Sequence, residues 1–141
     1  MNFLVCLETS ASGLYAQRKR MDIIASNLSN IETTRTENGG PYRRKMVVMS
    51  TKSTNQNFGD ILNSTVKGVQ IEDVVEDPSP FKKVYNPSHP DANDEGYLLK
   101  PNIDLVVETT NMMMAKRAFE ANIAVIKATR KMAIKALEIG R

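Results

Sequence analysis

The sequence predicts a mainly α fold with a small β or irregular middle and a long helix at each end of the chain. Three observations carry this. All six prolines and five of the seven glycines fall between residues 35 and 102. The flanking segments keep apolar residues at helical spacing. The middle holds two short runs rich in Val and Ile, bounded by turn residues. The chain therefore divides into an N-terminal helical segment (1–34), an irregular or β middle (35–102) and a C-terminal helical segment (103–141).

In the first segment Leu7, Leu14, Met21 and Leu28 recur every seven residues. Phe3, Ile24 and Ile31 belong to a second row that Ser10 and Gln17 interrupt. This is most of a coiled-coil seam. Ala11 and Ala25 widen it, and Arg18, Lys19, Arg20 and Asp22 mark the wet side. About four heptads at 1.5 Å per residue make a rod of roughly 40 Å. The blander reading is a core helix of a bundle.

The middle reads as strands and turns. Arg43 to Met49 and Val69 to Val75 are candidate strands. Asn38-Gly39-Gly40-Pro41 and Asp77-Pro78-Ser79-Pro80 are turn chemistry. Thr51 to Asn57 is polar and reads as a mobile stretch.

The last segment is the most informative. A start at Asn102 to Asp104, just after Pro101, suits N-cap preferences, and Gly140 suits a C-cap. One apolar stripe runs Ala118, Ala121, Val125, Ala128, Met132, Ala136, Ile139, and a second runs Phe119, Ile123, Ile126, Ala133, Leu137. Lys116, Glu120, Lys127, Lys131 and Glu138 leave a narrow charged strip. A surface helix needs only one apolar stripe. Two stripes predict cover from two sides, one by the N-terminal helix and the other by a neighbouring subunit. The competing reading is a central helix of a small globular bundle. Met112, Met113 and Met114 add adaptable packing surface.

Catalytic equipment is sparse. One cysteine, Cys6, excludes an intramolecular disulfide framework, and one histidine, His89, excludes His-pair metal motifs. A buried small side chain is the simpler reading of Cys6. The run DANDEG, Asp91 to Gly96, places oxygen ligands at the first, third and fifth positions of a calcium loop. Asn102 stands where that loop needs a bidentate Glu, so an ordinary turn is the better reading. No metal and no cofactor is expected. Arg18-Lys19-Arg20 and Arg43-Arg44-Lys45 could touch phosphate. Nearby acids and a net charge of only +3 favour solvated faces, and no nucleic-acid partner is expected. No apolar run reaches the roughly 18 residues of a membrane span, so direct membrane insertion is not expected. FLVCL is too short for a secretory signal core and precedes the first basic residue, Arg18.

SGLYAQRKRMDIIASNLSNIETT (12–34) resembles the N-terminal signature of bacterial flagellar rod and hook axial proteins. GPYRRK (40–45), SPFKKVYNPSHPDANDEGY (79–97), KPNIDLVVE (100–108) and EANIAVIKATRKMAIKALEIGR (120–141) narrow the likeness to the proximal rod proteins of that family. Five segments agree in order; Met46 to Val75 is left unanchored. Ser26, Ser29 and Glu32 depart from the usual family run, while Asn27 and Asn30 keep it.

The resemblance implies a structural subunit, not an enzyme. Its terminal helices would pair as an antiparallel coiled coil and line a hollow helical rod in the periplasm. That rod passes torque to the hook and export substrates through its channel. It implies export by the flagellar type III apparatus without a cleavable signal. Implied partners are copies of itself, neighbouring rod proteins and the ring-adaptor protein at the rod base. The expected assembly interface comprises Leu7, Leu14, Met21, Ile24, Asn27, Leu28 and Asn30 of the first helix, with Ala118, Phe119, Ile123, Val125, Ile126, Met132 and Leu137 of the last. Asn27 and Asn30 are expected to hydrogen-bond backbone where the first helix turns into the middle. The rival reading is a cytoplasmic helical adaptor or chaperone-like binding module.

Overall fold

The computed structural model describes residues 3–37, 39–51 and 67–139. Helix α1 spans Phe3–Ser29. Strands β1 (Lys45–Thr51) and β2 (Val69–Glu76) pair antiparallel, as do β3 (Lys82–Tyr85) and β4 (Tyr97–Lys100). Helix α2 spans Leu105–Ile139. Two long helices therefore frame two small, separate ribbons. At 1.5 Å per residue, α2 is about 52 Å long.

Each element has a local cause. Asp104 caps α2: its Oδ1 accepts the N–H of Val106 at 2.9 Å and of Val107 at 3.1 Å. Past Ser29, α1 ends in a turn, with the Asn30 N–H donating to the Ser26 and Asn27 carbonyls. The β1–β2 register runs from Lys45 opposite Glu76 to Thr51 opposite Val69, broken by a bulge between Val48 and Met49. Between β3 and β4, Gly96 takes φ +81, and a Cβ there would sit 2.9 Å from the Tyr85 ring. Only glycine fits that turn without strain.

α1 and α2 lie against each other. Asn27 reaches Glu108 at 3.1 Å, and a Cβ built on Gly13 would sit 3.0 Å from the Asn122 side chain. Residue numbers thus rise along α1 as they fall along α2. The buried positions of α1 are Ser10, Ala16, Ile24 and Asn27; those of α2 are Glu108, Ala115 and Thr129. Small residues dominate, which lets the two backbones approach closely. A second buried cluster, Leu98, Pro101 and Ile103, lies on the stretch leading from β4 into α2.

Several expectations need correction. The expected seam residues Leu7, Leu14, Met21 and Leu28 are each half-buried, while the fully buried positions of α1 are Ser10, Ala16, Ile24 and Asn27. A strict seven-residue row walks about 20° per heptad around a straight helix. Small side chains, Ser10 and Ala16, are buried on α1, and Gly13 lies beside Asn122 of α2. Cys6 is exposed, not buried. β3 and β4 were not anticipated: every β3 residue is exposed, so no apolar alternation marks it. The expected C-cap at Gly140 and all but the first residue of Thr51 to Asn57 lie outside the described residues.

Candidate assembly surface and the polar node behind it

The two apolar stripes of α2 have different fates. On the second stripe Phe119, Ile123, Ile126 and Ala133 are half-buried. On the first, Val125 is 48% exposed, Met132 52% and Ile139 86%. Ala121, Ala128 and Ala136 on that stripe are exposed too, while Ala118 is half-buried. The structure extends the exposed stripe toward the start of α2 through Val107 and Met114, which the sequence reading did not place on that stripe. From Val107 to Ile139 the stripe runs for roughly 48 Å.

Leu137 departs from its stripe and is exposed. The pairing of Asn27 with Glu108 and Gly13 with Asn122 puts Phe3 opposite about residue 132. The end of α2 therefore runs past the described part of α1. The charged strip holds its ions at the surface: Lys116 reaches Glu120 at 4.0 Å, and Lys135 pairs with Glu138. Such exposed pairs add little stability. Their use is to keep one side of α2 wet beside an apolar side that is not covered.

Behind this surface, five segments meet at a polar node. Glu108, fully buried in the first turns of α2, accepts from Arg44 Nε at 2.9 Å and Nη2 at 2.7 Å. Its other oxygen accepts from Asn27 Nδ2 at 3.1 Å. Arg44 Nη1 donates to Asp77 Oδ2 at 3.1 Å, and the Arg44 backbone N–H donates to Asn102 Oδ1 at 2.9 Å. Asn27 is used on both sides. Its amide donates to the Lys45 carbonyl at 2.8 Å, and its oxygen accepts from the Lys45 N–H at 3.0 Å and the Tyr42 hydroxyl at 3.3 Å. A buried charge with this many partners is stable; the same charge with a partner removed is costly.

Electrostatics agree with the geometry. Burial opposes the charge on Arg44, but its bonds to Glu108 and Asp77 outweigh that and hold its pKa above the ordinary value. The Ser79 hydroxyl and N–H, and then Arg44, hold the Asp77 carboxyl below its ordinary value.

The structure places the remaining expected residues as follows. Ile24 and Asn27 are buried, and Asn27 bonds the backbone of β1. Asn30 instead bonds its own helix, Nδ2 to the Ser26 carbonyl at 2.9 Å, and accepts from the Thr33 hydroxyl at 3.2 Å. The Arg43-Arg44-Lys45 triplet is spent internally. Arg43 lies 4.3 Å over the Phe81 ring and donates to the Asp77 and Ser79 carbonyls. In DANDEG, Asp91 accepts from the Thr34 hydroxyl at 2.8 Å and Asn93 from the Tyr97 N–H at 2.7 Å, which makes it a hairpin turn. Among the described residues no acid, His or Cys cluster could hold a metal, and no helix is long and apolar enough to cross a membrane.

Sequence reasoning missed Glu108, Asp77 and Asn102. One signal was available: Glu108 stands seven residues before Ala115, on the face that α1 covers.

Comparison with known proteins agrees with this architecture. The family described as "Flagella basal body rod protein" matches residues 7–35, and that described as "Flagellar basal body rod FlgEFG protein C-terminal" matches residues 94–139. The chain is 47% identical to the flagellar basal-body rod protein FlgC of Bacillus subtilis, covering 96% of each. It is 36% identical to FlgC of Borreliella burgdorferi, over 99% of this chain and 98% of that one. With FlgC of Escherichia coli O157:H7 it is 35% identical over the full length of both. The matched segments are the two ends of the chain that pack together here, and the likeness to whole rod proteins runs through the middle as well. The chain thus belongs to the FlgC family of flagellar basal-body rod proteins, structural subunits of the basal body rather than enzymes.

Proposed function

We propose that the exposed apolar stripe of α2 is the face by which this rod subunit assembles with copies of itself and with neighbouring rod proteins. The observation that carries the reading is the stripe from Val107 to Ile139, left largely exposed by the described residues, on a helix whose other apolar stripe is half-buried up to Ala133. Leaving so long a stripe in water is unfavourable, and a neighbour of similar helical character removes it. Within each subunit α1 and α2 pair as an antiparallel coiled coil, and stacked pairs form a hollow tube in the periplasm. That tube transmits torque to the hook and passes export substrates. Subunits reach it through the flagellar type III export apparatus, and the lowest ones meet the ring-adaptor protein at the rod base. Stiffness follows from the build: each buried apolar contact is worth about 2–5 kcal/mol against truncation to Ala, and it repeats in every subunit. No observation favours the cytoplasmic adaptor.

The test is a pair of charged substitutions at exposed positions, Val125→Glu and Met132→Glu. The expected result is a stable, helical chain that is absent from purified basal bodies, in cells that do not swim. Normal motility with both substitutions present removes the assignment of this face. Ile126→Asp is a poorer probe, because Ile126 is half-buried and its loss also disturbs the helix pair.

A further inference from the structure

We infer that the Arg44–Glu108 ion pair is an orientation lock, fixing the angle of the β1–β2 ribbon to the helix pair, a role beyond assembly through α2.

The ribbon is only partly packed: Met46, Val47, Met49, Ile71, Val74 and Val75 are half-buried. Among the described residues the buried apolar side chains are Ala16, Ile24, Leu98, Ile103 and Ala115, and none belongs to β1 or β2. An open cleft of about 390 Å³, lined by Arg20, Ile24, Arg44, Met46, Met49 and Glu108 among others, lies between ribbon and helices. Close packing alone therefore does not set the angle between them.

Directional bonds do. At the base of the ribbon Arg44 joins Glu108 of α2 to Asp77 just past β2, while Asn27 of α1 takes both the N–H and the carbonyl of Lys45. Further along, the Val69 N–H donates to the Ser12 hydroxyl at 3.1 Å. A planar guanidinium with two donors on one carboxylate oxygen and a third on another acid fixes direction as well as distance. A single hydroxyl contact, such as Ser12, leaves rotation free. Arg44 is thus a positioning residue, and the ribbon sits where its fork points.

The experiment uses the purified full chain with Cys6→Ser and two spin labels, read as distance distributions by pulsed electron resonance. One label pair, at Glu72 of β2 and Lys131 of α2, reports the ribbon. A second, at Arg18 of α1 and Lys127 of α2, reports the helix pair; all four sites are exposed. In Glu108→Gln the ribbon distribution is expected to be roughly twofold broader at temperatures well below unfolding, with the helix-pair distribution unchanged. Arg44→Lys keeps the charge but loses the fork, and is expected to broaden the ribbon distribution as well. Should Glu108→Gln unfold, shown by loss of both distributions, Arg44→Lys decides alone. An unchanged ribbon width in the folded variants, or broadening only in Ser12→Ala, overturns the proposal. The readout is on the isolated chain, so it does not depend on which face assembles.

Discussion

Arg44 Nη2 stands 2.7 Å from Glu108 Oε1, joining the residue that opens the ribbon to the first turns of the C-terminal helix. The carboxylate side chain is 1% exposed and the guanidinium 19%. Glu108 is the one charged side chain among the fully buried described residues. Desolvating a carboxylate costs several kcal/mol, and only near-complete pairing offsets it.

Arg44→Ala therefore leaves Glu108 with amide donors from Asn27 and Asn111 and no cation. The expected loss is about 3–5 kcal/mol, read as a lower denaturant midpoint. Arg44→Ala with Glu108→Met removes both charges, and is expected to recover much of that loss. A double variant no more stable than Arg44→Ala would show that the carboxylate is not the source of the cost.

Gly13 marks a close approach of the helices, with Asn122 3.0 Å from where a Cβ would stand. Gly13→Leu is expected to cost about 1–3 kcal/mol by overpacking. Gly13→Ala is expected to be close to neutral, because about 1 kcal/mol of helix propensity offsets the tight contact with a side chain that can shift. Thermal unfolding of the two variants separates the cases.

Acid should weaken the fold through two carboxylates. Bonds from Ser79, then from Arg44, hold Asp77 below its ordinary 3.8. The Val107 and Val106 N–H groups, then Lys82, do the same for Asp104. A depressed folded-state pKa means stability that is present above the unfolded value and lost as pH falls through the folded one. The denaturant midpoint should therefore drop as pH falls below 3.8, and this drop should be smaller in Asp77→Asn and Asp104→Asn.

The helices were legible in the sequence and the node was not, for a physical reason. Periodicity is a local signal, so the Pro-free, Gly-poor ends disclosed α1 and α2, and Val and Ile disclosed β1 and β2. The two stripes of α2 also announced that one face would stay uncovered within the chain. The node joins residues 64 positions apart at Arg44 and Glu108 and 81 apart at Asn27 and Glu108. No local pattern encodes such a pairing. The heptad row of α1 marked half-buried apolar surface, but not the small residues that pack beside it, the buried Ala16 and Gly13 next to Asn122. Leu137 shows another limit: its stripe was readable, but the length of its partner helix was not.

The central claim is that the exposed stripe of α2 meets another rod subunit. Cysteine cross-linking in isolated basal bodies tests it most directly, using Val125→Cys or Met132→Cys with Cys6→Ser, in strains that still swim. A maleimide reagent carrying a photoreactive group, attached to that thiol, should yield adducts to another copy or a neighbouring rod protein from stripe positions, and few from Lys127→Cys on the charged strip. Adducts from Lys127→Cys with none from the stripe would contradict the account and put the assembly face on the other side of the helix.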